Sequence, residues 1–220
     1  GSAVALGDVN GDNRADILVG APKDDDVANK LTDSGSVTVL SGSGFGPLRK
    51  FYGASAKANA GTTVAVGDVD NNGNADIIIG APNDNGTGSV KVFNIAGSIL
   101  LQATGATSKS QFGKAVASGD VTNDGYDDVL VGAPADDNGA SKDTGSVTVF
   151  SGNGGAPLTK KYGAAAKANL GNSVAAGDVD GDGKADIIAG AWKDDKPAAK
   201  VIKDAGSVSV FSGNGYAQIG

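Results

Sequence analysis

Four stretches of this chain place oxygen-bearing side chains at every second position and then run straight into branched apolar residues. DVNGDNRADILVGAP begins at Asp8, DVDNNGNADIIIGAP at Asp68, DVTNDGYDDVLVGAP at Asp120 and DVDGDGKADIIAGAW at Asp178. With the lead aspartate as position 1, positions 1, 3, 5 and 9 are Asp8, Asn10, Asp12 and Asp16 in the first loop and Asp68, Asp70, Asn72 and Asp76 in the second. They are Asp120, Thr122, Asp124 and Asp128 in the third and Asp178, Asp180, Asp182 and Asp186 in the fourth. Position 7 adds a backbone carbonyl, from Arg14, Asn74, Tyr126 or Lys184. Alternate side chains on a tight loop point inward together. The chemistry this suits is capture of a hard cation, and calcium takes roughly six to eight oxygens at about 2.3–2.6 Å from flexible loops.

Residue types elsewhere in the loop agree. Position 6 needs a sharp backbone turn, and it is Gly73, Gly125 and Gly183 in three loops and Asn13 in the first; both types tolerate positive φ. An EF-hand opens in the same way but requires a Glu at position 12 between two helices. Here position 12 is Val19, Ile79, Val131 or Ala189, so that motif fails. Magnesium, with its stricter octahedron and retained waters, fits less well. Asp, Asn and Gly also build such turns without metal, but carboxylates crowded within a few ångströms repel one another unless a cation neutralises them. Thirteen of the 25 aspartates lie at these positions, and four calcium ions would bring eight positive charges to a chain of net charge −7. On ligand charge alone the fourth loop binds most tightly, and Asp182→Ala costs more than Asn10→Ala.

Composition narrows what else the chain can do. All 25 acids are Asp, there are 36 Gly, and Glu, Cys, His and Met are absent. Asp and Gly without Glu favour turns over helix interiors. Disulfides, thiolate and imidazole chemistry and soft-metal sites are excluded. The acidic balance speaks against nucleic acid and against an anionic membrane surface. No apolar run reaches membrane-spanning length, so no membrane insertion is expected. The chain carries no signal peptide or starter Met and is expected to be processed or excised. Gly1-Ser2 has the form of a cloning scar, yet Gly1 also matches the repeat glycines Gly61, Gly113 and Gly171.

The elements that must carry the loops repeat with them. The lead aspartates are spaced by 60, 52 and 58 residues, so four units fill the chain, and periods of this size mark solenoids and propellers. Each unit parses into four strands. The first strands are Ala3–Leu6, Thr63–Val66, Ala115–Ser118 and Ser173–Ala176. The second are the apolar runs Ile17–Val19, Ile77–Ile79, Val129–Val131 and Ile187–Ala189, expected to be buried on both faces. Turns at Gly20–Pro22, Gly80–Pro82, Gly132–Pro134 and Gly190-Ala191-Trp192 are expected to stop them. The third strands are Gly-Ser-Val-x-Val at 35–39, 88–92, 145–149 and 206–210, and the fourth are Leu48–Tyr52, Leu100–Thr104, Leu158–Tyr162 and a short Tyr216–Ile219. Radial stacking buries both faces of such sheets. The chain therefore reads as an all-β propeller of four tandem four-stranded antiparallel blades, approximately 1–53, 61–105, 113–163 and 171–220, in one domain or propeller segment spanning 1–220. PLRKFYGASAKANAG (47–61) matches PLTKKYGAAAKANLG (157–171), which suggests a two-blade duplication and an even blade total.

With these elements in place, the chain resembles the FG-GAP repeats of integrin α-subunit propellers and related bacterial proteins. Phe112-Gly113 matches the Phe-Gly element, followed by Leu170-Gly171 and Ala60-Gly61, while Gly1 has no partner. Gly-Ala-Pro is intact in three units and Trp192 replaces Pro in the fourth. The resemblance implies a calcium-stabilised, noncatalytic propeller, secreted or at the cell surface, that recognises an extracellular protein or glycan. Family propellers commonly have seven blades, so four units imply a fragment of a larger (seven- or eight-bladed) ring, half of a dimeric ring formed by self-association through open blade ends, or a small closed ring. It also implies a recognition face opposite the calcium loops, built from the loops between second and third strands.

Those loops vary here: 23–34, 83–87, 135–144 and 193–205. They carry Asp24, Asp25, Asp26, Asp136, Asp137, Asp194, Asp195, Lys193, Lys196 and Lys200, read either as solvated charge or as a ligand surface centred on 23–34, 135–144 and 193–205. Trp192 at the root of the longest is expected to pack between blades rather than to form a binding platform. A lectin and a structural element of a surface layer, filament or multi-chain ring are the alternatives. Catalysis lacks support, because no Asp pair stands apart from turn chemistry.

Overall fold

The computed structural model describes residues 1–195 and 203–220. Four antiparallel sheets follow one another along the chain. The first holds β1 (Ala3–Gly7), β2 (Asp16–Ala21), β3 (Ser36–Leu40) and β4 (Pro47–Tyr52), and the second β5 (Thr63–Gly67), β6 (Asp76–Ala81), β7 (Ser89–Phe93) and β8 (Ile99–Thr104). The third holds β9 (Ala115–Gly119), β10 (Asp128–Ala133), β11 (Ser146–Phe150) and β12 (Pro157–Tyr162), and the fourth β13 (Leu170–Gly177), β14 (Asp186–Ala191) and β15 (Ser207–Phe211). Each is a simple meander in sequence order. The first strands meet in succession, β1 with β5, β5 with β9 and β9 with β13. The sheets are thus blades of a propeller, fanned about a common axis in an open arc. Among the described residues no helix is long and apolar enough to cross a membrane.

The core lies between blades. Val9, Leu18, Val37 and Val39 of the first blade pack on Val64, Ile77 and Ile79 of the second, and the two later junctions repeat the arrangement. Burying each such side chain contributes roughly 1.5–3 kcal/mol. The middle second strands, β6 and β10, are buried along their whole length, as their unbroken apolar runs predict. In β2 every second residue is only half-buried, because one face of the first blade has no neighbour.

Three expectations are corrected. The Gly-Ala of each Gly-Ala-Pro element stays inside the second strand, and the turn begins at the next residue, Pro22, Pro82, Pro134 or Trp192. The glycine serves blade contact instead: a Cβ on Gly20, Gly80 or Gly132 would lie 2.1, 2.2 or 2.0 Å from the carbonyl oxygen of Gly61, Gly113 or Gly171 in the next blade. The fourth strand of the fourth blade is not formed. Tyr216 has φ 60°, as Phe45 has 59° in the matching turn of the first blade, so the turn consumes residues counted as strand. What remains is a bridge between Phe211 and Gln218, with the Ile219 amide donating to the Val210 carbonyl at 2.8 Å and the Val210 amide to the Gly220 carbonyl at 3.0 Å. Finally, Trp192 is 54% exposed rather than packed between blades, with the Lys193 ammonium 4.4 Å above its ring.

Candidate metal centre

Each acid loop closes the hairpin between the first and second strands; Gly7 pairs with Asp16, Gly67 with Asp76, Gly119 with Asp128 and Gly177 with Asp186. Position 9 therefore begins a buried strand, and Asp16, Asp76, Asp128 and Asp186 are at most 1% exposed. One carboxylate oxygen accepts the amide of position 2 at 3.1, 2.9, 3.0 and 2.8 Å in the four loops. The other accepts a glycine amide from the turn after the third strand: Gly42 at 2.8 Å, Gly152 at 3.0 Å and Gly213 at 2.9 Å. In the second blade Ile95 stands at that place.

Position 1 holds the loop together from the other side. Asp8 accepts the amides of Gly11, Asp12 and Asn13; Asp178 accepts those of Gly181, Asp182 and Gly183. Asp68 and Asp120 do the same with Asn72 and Gly73, and with Asp124 and Gly125. Position 6 has positive φ in every loop, 62° at Asn13 and 86–88° at the three glycines. Position 4 does too, at Gly11, Asn71, Asn123 and Gly181. That second left-handed turn is legible in the sequence, since every loop has Gly or Asn there.

Two loops bring three acids to a point. Asp68, Asp70 and Asp76, and likewise Asp178, Asp180 and Asp186, each offer an oxygen within 4.8 Å of the others. These are positions 1, 3 and 9. Asp182, at position 5 of the fourth loop, lies outside its cluster, and in every loop the position-5 Oδ1 accepts the amide of position 7, at 3.0 Å for Asp12, 2.8 Å for Asn72, 3.1 Å for Asp124 and 3.0 Å for Asp182. Arg14, Asn74, Tyr126 and Lys184 supply those amides, and their carbonyls remain the position-7 candidates.

The residues fit a calcium ion on donor chemistry and on what they leave unsatisfied. All candidate ligands are hard oxygens. Asp70 Oδ1 and Thr122 Oγ1, both at position 3, are buried without a hydrogen-bond partner, a state that costs free energy unless something else binds the atom. Burial, then the charges of Asp70 and Asp68, push Asp76 up to about 7. Burial likewise raises Asp128. One acid at this end was missed. Asp127 stands where the other loops have Ala15, Ala75 and Ala185, and its Oδ2 accepts the Asp68 amide of the preceding blade at 3.0 Å. Burial raises its pKa, with Asp120 and Asp68 adding to the effect. An acid at a position otherwise Ala was the available signal.

The loops between second and third strands sit at the opposite end of every blade, as a meander requires. Their acids bond within the fold. Asp24, Asp84, Asp136 and Asp194 accept the hydroxyl of the serine opening the third strand, from Ser36, Ser89, Ser146 and Ser207, at 2.7, 2.8, 2.7 and 2.7 Å. Asp25, Asp137 and Asp195 accept the amides of Asp33, Asp143 and Asp204, closing their loops, and Asp26 holds Asn29. Lys50 pairs with Asp24 and Lys160 with Asp136, and each lysine also lies 4.8 Å from a tyrosine ring, Tyr52 or Tyr162, so the duplication seen in sequence extends to contacts. Lys196 and Lys200 lie outside the described residues. On the same end, Lys114, Lys167, Asn169, Asn172, Trp192 and Lys193 line a cleft of about 720 Å³ between the third and fourth blades.

The FG-GAP repeat model matches residues 1–40, 60–93 and 170–211, and an FG-GAP-like repeat model matches residues 120–189. The chain belongs to the FG-GAP repeat family. Among curated proteins this FG-GAP chain is 31% identical to integrin alpha-5 of Xenopus laevis, covering 87% of the chain and 20% of that protein. It is 32% identical to integrin alpha pat-2 of Caenorhabditis elegans, covering 92% of the chain and 18% of that protein. The chain thus spans about a fifth of the length of these relatives. Solved structures show the same fold: the Dos1 propeller (9% identity, TM-score 0.56, 98% of this chain and 45% of that one) and a Bacillus licheniformis rhamnogalacturonan lyase (14%, 0.55, 99% and 46%). At those identities the likeness concerns the fold alone.

Proposed function

We propose that this FG-GAP chain is a noncatalytic, calcium-loaded propeller module of a secreted or cell-surface protein, used for adhesion or recognition of an extracellular protein or glycan. The carrying observation is the pair of buried, unpartnered oxygens at position 3, Asp70 Oδ1 and Thr122 Oγ1, set among acids that already serve the loop backbone. A resident cation gives them a partner. The integrin relatives support the recognition role, and the uneven loops at the other end, with the cleft beside Trp192, are the surface that would carry it. Calcium would neutralise the crowded carboxylates. The chain's own groups orient them: position 1 gathers the loop amides, and position 9 anchors the loop to a buried strand.

Asp70→Ala tests the calcium reading by a change of sign. In chelator the substitution removes a charge that disfavours Asp76 ionisation, so the melting temperature holds or rises. In excess calcium it removes a ligand and weakens a linkage that is worth roughly 2.7 kcal/mol per site at a hundredfold excess over Kd, so the melting temperature falls relative to wild type. The same shift in both media refutes the site. Recognition is tested on immobilised extracellular proteins and glycans: Trp192→Ala with Lys193→Ala should abolish binding without changing the calcium response.

A further inference from the structure

The two ends of the arc expose the two halves of a junction that the molecule already makes three times. On the first blade, Val4 is 71% and Leu6 63% exposed, whereas Val64 and Val116, equivalent to Val4, are 9% and 8% exposed. Ile17 and Val19 are half-buried where Ile77, Ile79, Val129 and Val131 are buried. On the fourth blade, Val179 is 59% and Val208 63% exposed, whereas Val9, Val69 and Val121, equivalent to the former, are at most 1% exposed and Val37, Val90 and Val147, equivalent to the latter, are 0%. Ile188 is half-buried where Leu18, Ile78 and Leu130 are fully covered.

The backbone tells the same story. A Cβ on Gly7 would lie 2.9 Å from Val66 and 3.1 Å from Ala75; on Gly119 it would lie 2.9 Å from Ala176 and 3.2 Å from Ala185. Gly177 is the fourth member of that series and has nothing within 4 Å. The residues equivalent to its missing neighbours are Leu6 and Ala15. At each internal junction the amide of Ala75, Asp127 or Ala185 donates to the carbonyl of Asp8, Asp68 or Asp120 at 2.8–3.0 Å. Among the described residues, the donor of that series left without a partner is Ala15 and the acceptor is Asp178.

We propose that the open face of the fourth blade docks the open face of the first blade of a second copy of this chain, head to tail, in the geometry of the internal junctions. Apolar side chains, a glycine hollow and a backbone donor on one face meet their counterparts on the other. In a pair of chains this contact occurs twice, related by a two-fold axis, and closes a ring. Two copies carry eight blades, within the range in which propellers close. This pairing does not depend on what the loops or the cleft bind.

Light scattering over a concentration series, on the chain with calcium, tests the proposal. Wild type should have twice the mass of one chain. Gly177→Val fills the hollow and Leu6→Asp charges the opposing face; both sites are open in one chain, so far-UV circular dichroism should stay unchanged while each variant runs as a single chain. An equimolar mixture should recover a two-chain species, because each variant retains the face the other lacks. Single-chain wild type at every concentration overturns the proposal, as does an oligomer that either variant leaves intact. So does a mixture of the two variants that fails to associate.

Discussion

Asp136→Ala is the most informative single substitution at the loop end. The carboxylate accepts the Thr107 hydroxyl at 2.6 Å and the Ser146 hydroxyl at 2.7 Å, and pairs with Lys160 at 2.6 Å. Thr107 belongs to the connection from the second blade, Ser146 opens β11 and Lys160 sits on β12, so one carboxylate joins a neighbouring blade to two strands. Its side chain is 2% exposed and Lys160 is 31% exposed. Removal strands the fully buried Ser146 hydroxyl, at about 1–3 kcal/mol for an unsatisfied buried donor. Lys160 reaches solvent in part, so its loss stays well below the 3–5 kcal/mol of a broken buried pair. The expected total is about 3 kcal/mol, or about 6–12 °C in melting temperature for a chain of this size.

Asp24→Ala is the control, because Asp24 and Lys50 are 32% and 40% exposed and exposed pairs contribute only about 0–1 kcal/mol. It has no inter-blade partner like Thr107 and should cost about half as much. Adding Lys160→Met to Asp136→Ala should recover part of the loss. Differential scanning calorimetry in saturating calcium reads all four proteins, and an Asp136→Ala shift no larger than that of Asp24→Ala refutes the reasoning.

Other outcomes follow from the same geometry. Burial opposes the charge on Asp136, but hydrogen bonds from Lys160, Thr107 and Ser146 overcome it and hold the pKa below the usual carboxylate value. A depressed folded value means that this stabilisation is complete above about pH 4 and is lost on acidification through the folded pKa; an acid titration in which Asp136→Ala and wild type keep a constant difference down to pH 2 contradicts it. Gly132→Ala forces a Cβ to 2.0 Å from the Gly171 carbonyl and should destabilise by about 1–3 kcal/mol, whereas Gly190→Ala, facing the Ser173 hydroxyl, should cost less; equal melting shifts refute the close-approach role. By calorimetric calcium titration, Asp180→Ala should weaken the fourth site more than Asp182→Ala, because Asp180 belongs to the converging cluster and Asp182 does not.

The repeat made the blade legible. Val at a constant place after each first Gly, acids at alternate positions and Gly or Asn at position 6 are local requirements, met within fifteen consecutive residues, so sequence alone determined strand order, loop geometry and the chemistry of the candidate cation site. It also placed β2, β6, β10 and β14 as apolar strands from their unbroken apolar runs, although only β6 and β10 are buried along their whole length. What it could not decide depends on residues far apart in the chain. Gly20 reads as a turn former until the Gly61 carbonyl of the next blade is found against it. Asp136 reads as surface charge until Thr107, Ser146 and Lys160 converge on it from three segments. Val37 and Val208 occupy the same place in the same motif, yet one is buried and the other bare. Identical local sequence specifies an identical surface, and only the arc of blades decides which copy of that surface has a neighbour to exclude its water.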